Sequence, residues 1–177
     1  MKRIAMGVDP GKKGFITFLS EGGEVIEYVP LLEDPNSKYI DFTHLRKIFK
    51  EVTADPNKKI HCVIEDVHSI PGSSAQSNFN FGYIVGALEE LLKSFEIPFT
   101  KVAPKTWQKE MWQGVALKKK LSSTGKTQVN DTKAMSLEAA KRLFPREDFR
   151  RTTRATNPDD NKVDSLLMAE YCRRKFL

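Results

Sequence analysis

The chain has 177 residues, 40% of them hydrophobic, which suits a single compact domain spanning the whole length. No apolar run is long enough to span a bilayer, and the Met-Lys-Arg start leads straight into a strand, so neither a signal peptide nor a membrane partner is expected. A net charge of +6 and a pI near 9.3 point instead to a polyanion such as nucleic acid.

Residues 4–18 read I-A-M-G-V-D-P-G-K-K-G-F-I-T-F: an apolar run, one acid, a Pro-Gly turn and a second apolar run. That pattern predicts two strands of a buried hairpin, with Asp9 at the end of the first. A carboxylate there is costly unless it is paired or meets a metal. By itself the acid would be read as a turn cap. A third strand is expected over 24–29, followed by polar loop. Phe42, Leu45, Ile48, Phe49 and Val52 recur at helical spacing and predict a helix over 41–54. Residues 60–67, I-H-C-V-I-E-D-V, form a fourth strand, central because it is so apolar, and it carries Glu65.

A small-residue loop from His68 to Ser77 leads into a helix over about 78–95, with Phe79, Tyr83, Val85, Leu88, Leu91 and Leu92 apolar. Gly82 and Gly86 share one of its faces, which suggests close backbone approach, either to the sheet or to a second copy of the chain. A short fifth strand over 98–102 and a helix over 105–111 follow, with Pro104 in the favoured first turn. Residues 114–130 are expected to be a mobile loop. Asp131 caps a helix running to Phe144, and a last helix covers about 159–175, with Val163, Leu166, Leu167 and Tyr171 inward. Three strands in a row, then alternating helices and strands, imply an α/β fold with a mixed five-stranded sheet flanked by helices.

From residue 101 to 133 eight lysines face two acids, a surplus equal to that of the entire chain. A lysine run is usually a solvated face, and Lys118, Lys119 and Lys120 alone would be read so. Trp107 and Trp112, interleaved with Lys105, Lys109, Lys126 and Lys133, move the reading toward a DNA-binding surface. Cys62 and Cys172 lie in a strand and a helix without ligand spacing, as reduced thiols of a cytoplasmic protein would. The three histidines have no zinc pattern either.

Asp9, Glu65 and Asp164 are the candidate chemistry, with Asp160 and Asn161 beside the last. On a helix Asp160, Asn161 and Asp164 lie over one face. Oxygen ligands from separate elements suit Mg²⁺, with Mn²⁺ as a substitute. Two such ions would support phosphodiester hydrolysis. Alone, Asp164 is a surface acid in a salt bridge; the set of three is the stronger signal. Gly125-Lys126-Thr127 lacks the leading glycine of a P-loop, and Gly7, Gly11 and Gly14 miss the dinucleotide spacing.

With G-V-D-P-G from Gly7, V-I-E-D-V from Val63, the Gly82 and Gly86 helix, and N-P-D-D-N-K-V-D-S-L-L-M-A from Asn157, the chain resembles RuvC-type Holliday junction resolvases of the ribonuclease H-like superfamily. The resemblance implies a homodimer that binds a four-way DNA junction and nicks two strands symmetrically with Mg²⁺. It implies Asp9, Glu65 and Asp164 as metal ligands, with Asp160 or Asn161 completing the set, and Lys105 and Lys133 as phosphate contacts. His68 stands where the family often places an aromatic residue at the junction. The basic stretch over 118–126 would grip the backbone, and water would attack the phosphodiester in line. The surviving alternatives are a non-catalytic scaffold for branched DNA and a ribonuclease H-like nuclease acting on flaps or RNA–DNA hybrids. An ATPase of the sugar-kinase or actin type shares the opening hairpin but needs two such domains.

Overall fold

The apolar runs flanking Asp9-Pro10-Gly11 pair as an antiparallel hairpin, β1 (Lys2–Asp9) and β2 (Phe15–Ser20), in which Val8 faces Ile16 and Asp9 faces Phe15. The turn is tight: a Cβ on Gly14 would lie 2.0 Å from the Asp9 carbonyl oxygen, so only glycine fits there. β3 (Val25–Pro30) continues the meander antiparallel to β2. This computed structural model describes residues 2–37, 39–66, 72, 74–122 and 124–177.

Beyond the meander come α1 (Phe42–Thr53), β4 (Lys58–Glu65), α2 (Ala75–Ser94), β5 (Phe99–Val102), α3 (Pro104–Met111), β6 (Lys119–Leu121), β7 (Gln128–Asn130), α4 (Thr132–Leu143) and α5 (Asp160–Phe176). The main sheet is five-stranded, in the order β3-β2-β1-β4-β5. β1 runs parallel to β4, and β4 parallel to β5. The mixed α/β sheet expected from the sequence is therefore the observed one, with β1 at its centre.

Alternation along the strands divides the core into two layers. Ile4, Met6 and Val8 of β1 and Ile60, Cys62 and Ile64 of β4 pack with Leu45 and Phe49 of α1 and Leu88 and Leu92 of α2. Ala5 and Val63 point the other way, into a layer built by Trp107 and Met111 of α3, Ala139 and Ala140 of α4, and the apolar length of α5. Val163, Leu166, Leu167 and Tyr171 are inward as expected, and Ser165, Met168, Ala169 and Cys172 are buried too. Each helix that frames this layer begins at its sequence signal. Asp131 caps α4, Asp159 caps α5, and Pro104 opens α3.

Gly7 determines how closely α5 docks. A Cβ there would stand 2.2 Å from both the Ala169 nitrogen and the Ser165 oxygen. The helix backbone thus rests directly on β1, and next to it Thr17 Oγ1 and Ser165 Oγ share a buried hydrogen bond of 2.7 Å.

One expectation is corrected, and one open alternative is narrowed. Residues 114–130 are not simply loop: β6 and β7 pair there as an antiparallel ribbon, with Lys120 opposite Val129. On α2 the core face is Ile84, Leu88, Leu91 and Leu92, whereas Phe79 and Tyr83 are exposed. Gly82 and Gly86 share that outer side, and a Cβ on either would meet only open space, so they do not serve helix-on-sheet packing. Cys62 and Cys172 are free and buried, as expected of reduced thiols. Among the described residues no helix is long and apolar enough to cross a membrane.

Candidate active site

The acids meet because of strand parity. Val8 pairs with Ile64 across the parallel β1–β4 ladder, so Asp9 and Glu65, each one residue further on, end neighbouring strands in register. Both are odd-numbered, like Ala5 and Val63, and so share the sheet face that carries α5. Asp164 sits one turn into α5, which the Gly7 contact presses onto β1. Three separate elements thus deliver one carboxylate each to the same end of the sheet.

The three acids feel one another. Burial pushes the Asp9 carboxyl well above the usual range, and the nearby charges of Asp164, Glu65 and Asp159 add to the shift, opposed by the Gly11 backbone N–H. Burial also pushes Asp164 up to about 7, with a hydrogen bond from Ser136 and the charge of Lys133 opposing, and Glu65 and Asp160 adding. Glu65 is raised by burial against the hydrogen bond it accepts from Trp107. Like charges crowded together with little solvent favour the protonated form or a cation. Asp164 Oδ1 is buried without a hydrogen-bond partner, which is costly for an anionic oxygen.

That orphaned oxygen and an all-oxygen donor set fit a hard divalent ion. Among the described residues, however, no three acid, histidine or cysteine side chains are already gathered as a ligand shell. The acids share an end of the sheet, and a cation would have to draw their oxygens together.

Around them lies a supporting set of polar groups. Trp107 Nε1 donates to Glu65 Oε1 at 3.0 Å, and Trp112 Nε1 donates to Ser136 Oγ at 3.3 Å. Lys133 Nζ lies 2.6 Å from Asp160 Oδ2, so Asp160 on α5 is tied to the start of α4. That contact holds the lysine's pKa above its ordinary value. Asn161 is placed at the same helix start, and its backbone N–H is taken by the Asp159 side chain.

Trp107 was expected on a DNA surface, but it is 0% exposed and forms part of the core beneath the site. It cannot stack on a base; it orients a carboxylate instead. The lysines divide. Lys105, Lys109, Lys119 and Lys126 are exposed and have no acidic partner among the described residues. Lys118 pairs with Glu138, and Lys120 with Asp131 at 3.0 Å. His68 lies outside the described residues.

Sequence reasoning overlooked Asp159, Ser136 and Gly7. Asp159 caps α5 through the Asn161 and Lys162 N–H groups, binds Arg151 at 2.6 Å, and lies close enough to raise Asp9. Its place in the D-D-N-K-V-D run ahead of a helical pattern was a readable cap signal. Ser136 carries no comparable signal in the sequence.

This site occupies the end of a ribonuclease H-like sheet, the class of fold defined by the meander, the two parallel crossovers and the closing helix. Among solved structures the chain is similar to Thermus thermophilus RuvC. It matches the structure of RuvC alone with a TM-score of 0.55 at 13% identity, and RuvC in complex with a Holliday junction substrate with a TM-score of 0.54 at 11% identity. Each comparison covers 94% of this chain and 90% of the other. The chain thus has the RuvC fold over almost its whole length. No family model matches it, and no curated protein matches it in sequence.

Proposed function

We propose that the protein is a metal-dependent endonuclease that resolves four-way DNA junctions by paired nicks. The observation that carries the reading is the convergence of Asp9, Glu65 and Asp164, from β1, β4 and α5, on one end of a RuvC-like fold, with Asp164 Oδ1 left unsatisfied. Asp9, Glu65 and Asp164, with Asp160 or Asn161, would hold Mg²⁺ or Mn²⁺. When bound, such ions supply activation of water and charge neutralisation at the scissile phosphate.

The remaining roles belong to the chain's own groups. Trp107 fixes the Glu65 carboxylate, and Ser136 lies beside Asp164 and opposes the rise of its pKa. Lys133, bridged to Asp160, places a cation at the rim where a phosphate would arrive. Lys105 and Lys109 extend the positive surface along α3. A second copy of the chain would supply the second nick. The exposed stripe of Phe79, Gly82, Tyr83 and Gly86 on α2 is the surface we assign to that contact, because its glycines leave room for a close-packed partner helix.

The rival reading, a junction-binding scaffold without catalysis, draws on the absence of a gathered ligand shell among the described residues. A labelled four-way junction, a linear duplex and an RNA–DNA hybrid incubated with Mg²⁺ separate the two. Symmetric nicks on the junction that vanish in Asp9→Asn support the resolvase. Tight junction binding without cleavage in Mg²⁺ or Mn²⁺ supports the scaffold, and cleavage of the hybrid alone points to a ribonuclease.

A further inference from the structure

The β6–β7 ribbon has no counterpart in the chemistry above, yet it is rooted beside it. Asn130, the last residue of β7, is followed directly by Asp131, the cap of α4, and Lys133 on the next turn reaches Asp160. Every residue of both strands is exposed, on both faces. A two-stranded ribbon this exposed is marginally stable in water. It gains little for the fold, so its sequence is free to serve a partner.

Register sorts its side chains. Lys119 faces Asn130 and Leu121 faces Gln128, so these four lie on one face; Lys120 and Val129 lie on the other. The Lys120 face is tied back to the domain by the ion pair with Asp131. On the other face Leu121 is 65% exposed, and neither amide has a hydrogen-bond partner among the described residues. The turn is closed by the Ser122 N–H to Thr127 carbonyl bond and by Gly125 in the left-handed region, and it carries Lys126.

We propose that this ribbon enters the major groove of a DNA arm and reads base edges through Gln128 and Asn130. The major groove admits a two-stranded ribbon, and Asn and Gln each match the N6 and N7 edge of adenine. Leu121 would lie against a thymine methyl, while Lys119 and Lys126 hold the flanking phosphates. The charge favours DNA over a protein partner, since Asp131 is the ribbon's nearest acid and is already engaged by Lys120. This inference rests on the junction-binding reading and adds sequence preference to it.

The test is a binding selection in EDTA, using four-way junctions whose arms are randomised next to the crossover. Wild type and the double variant Gln128→Ala, Asn130→Ala are compared, with nicking of the same library in Mg²⁺ run in parallel. Wild type should enrich A·T-containing steps by about tenfold or more over depleted ones, as bidentate amide contacts do. The double variant should flatten that bias to within about twofold while its average affinity changes little, because phosphate contacts carry most of the affinity. An unchanged bias in the variant, no bias in wild type, or a collapse of variant affinity on every sequence overturns the assignment. Both exchanged side chains are exposed, so circular dichroism should match wild type. A sequence bias without nicking removes the nuclease reading and leaves the ribbon's role standing.

Discussion

The β6–β7 ribbon is joined to the acid end of the sheet through the start of α4, where Lys133 meets Asp160, yet the two are built on opposite terms. At the sheet end each carboxylate is held by a ladder position, a helix cap or a close backbone contact, and the price is crowded charge with little solvent. The ribbon is exposed on both faces, so its side chains cost the fold almost nothing. Geometry that must be accurate to a fraction of an ångström for chemistry belongs on rigid elements. Contacts that adapt to a long polyanion belong on exposed ones. The contrast predicts that substitutions at the sheet end alter stability and chemistry together, whereas those on the ribbon alter DNA binding alone.

The largest effect is expected from Gly7→Ala. The new methyl would overlap the Ala169 and Ser165 backbone, so α5 must shift or the chain must lose about 3 kcal/mol or more. Chemical denaturation should show that loss, and nicking should fall with it because Asp164 rides on α5. A fully stable and active Gly7→Ala would mean that α5 is not seated as described.

Next is Asp164→Asn. The folded carboxyl titrates near 7, above its ordinary value of about 3.9, so the folded state holds more protons than the unfolded state across that interval. Wild-type stability from this group is therefore full below about pH 4 and is lost as the pH rises through 7. In metal-free buffer the variant should be more stable than wild type at pH 8, by on the order of a few kcal/mol, and the gap should close toward pH 4. A pH-independent difference in Tm would show that Asp164 is not strained by its charge.

Trp107→Phe keeps the ring in the core but removes the hydrogen bond to Glu65. Loss of a bond to a charged group costs about 1.5–3 kcal/mol, so nicking should fall by roughly tenfold to a hundredfold with a smaller drop in Tm. Junction affinity measured without divalent ions should stay at the wild-type value. A DNA-stacking role would instead weaken binding. The smallest structural effect belongs to Lys119→Ala with Lys126→Ala. Thermal stability should be unchanged, while the slope of log affinity against log salt should become shallower by about 1 to 2. An unaltered slope would remove the ribbon from the DNA surface.

Much of this arrangement is legible in the sequence, and the exceptions have physical causes. Asp9 and Glu65 could be placed because each ends a long apolar run, and two such runs must lie centrally in one sheet. Asp164 stands out because it shares one face of the polar start of α5 with Asp160 and Asn161, just ahead of the apolar run over 166–169. Trp107 was misplaced because it was weighed by its lysine neighbours, although Trp107 and Met111, four apart, already mark the inward face of α3. Phe79 and Tyr83 look no different in the sequence from the buried apolar residues of α2, because composition alone does not show which face of the helix meets the sheet. The ribbon is hard to read from the sequence because its strands are three residues each, with one apolar residue apiece, too short to show the alternation that reveals a buried strand. Gly7 looked like an ordinary member of an apolar run, since the helix that needs its missing side chain lies more than 150 residues away.

The most direct test of the central claim, that the acids at the sheet end form one cation site, is calorimetry of Mn²⁺ binding to wild type and Asp164→Asn near pH 6.5 in buffers of different ionisation enthalpy. Wild type should bind Mn²⁺ and release a measurable fraction of a proton, because a carboxyl titrating near 7 must be deprotonated to serve as a ligand. Asp164→Asn should bind at least about tenfold more weakly and release less. Equal binding by both proteins, or no binding by wild type, would contradict the claim and leave the acids as a charged cluster with no ion to hold.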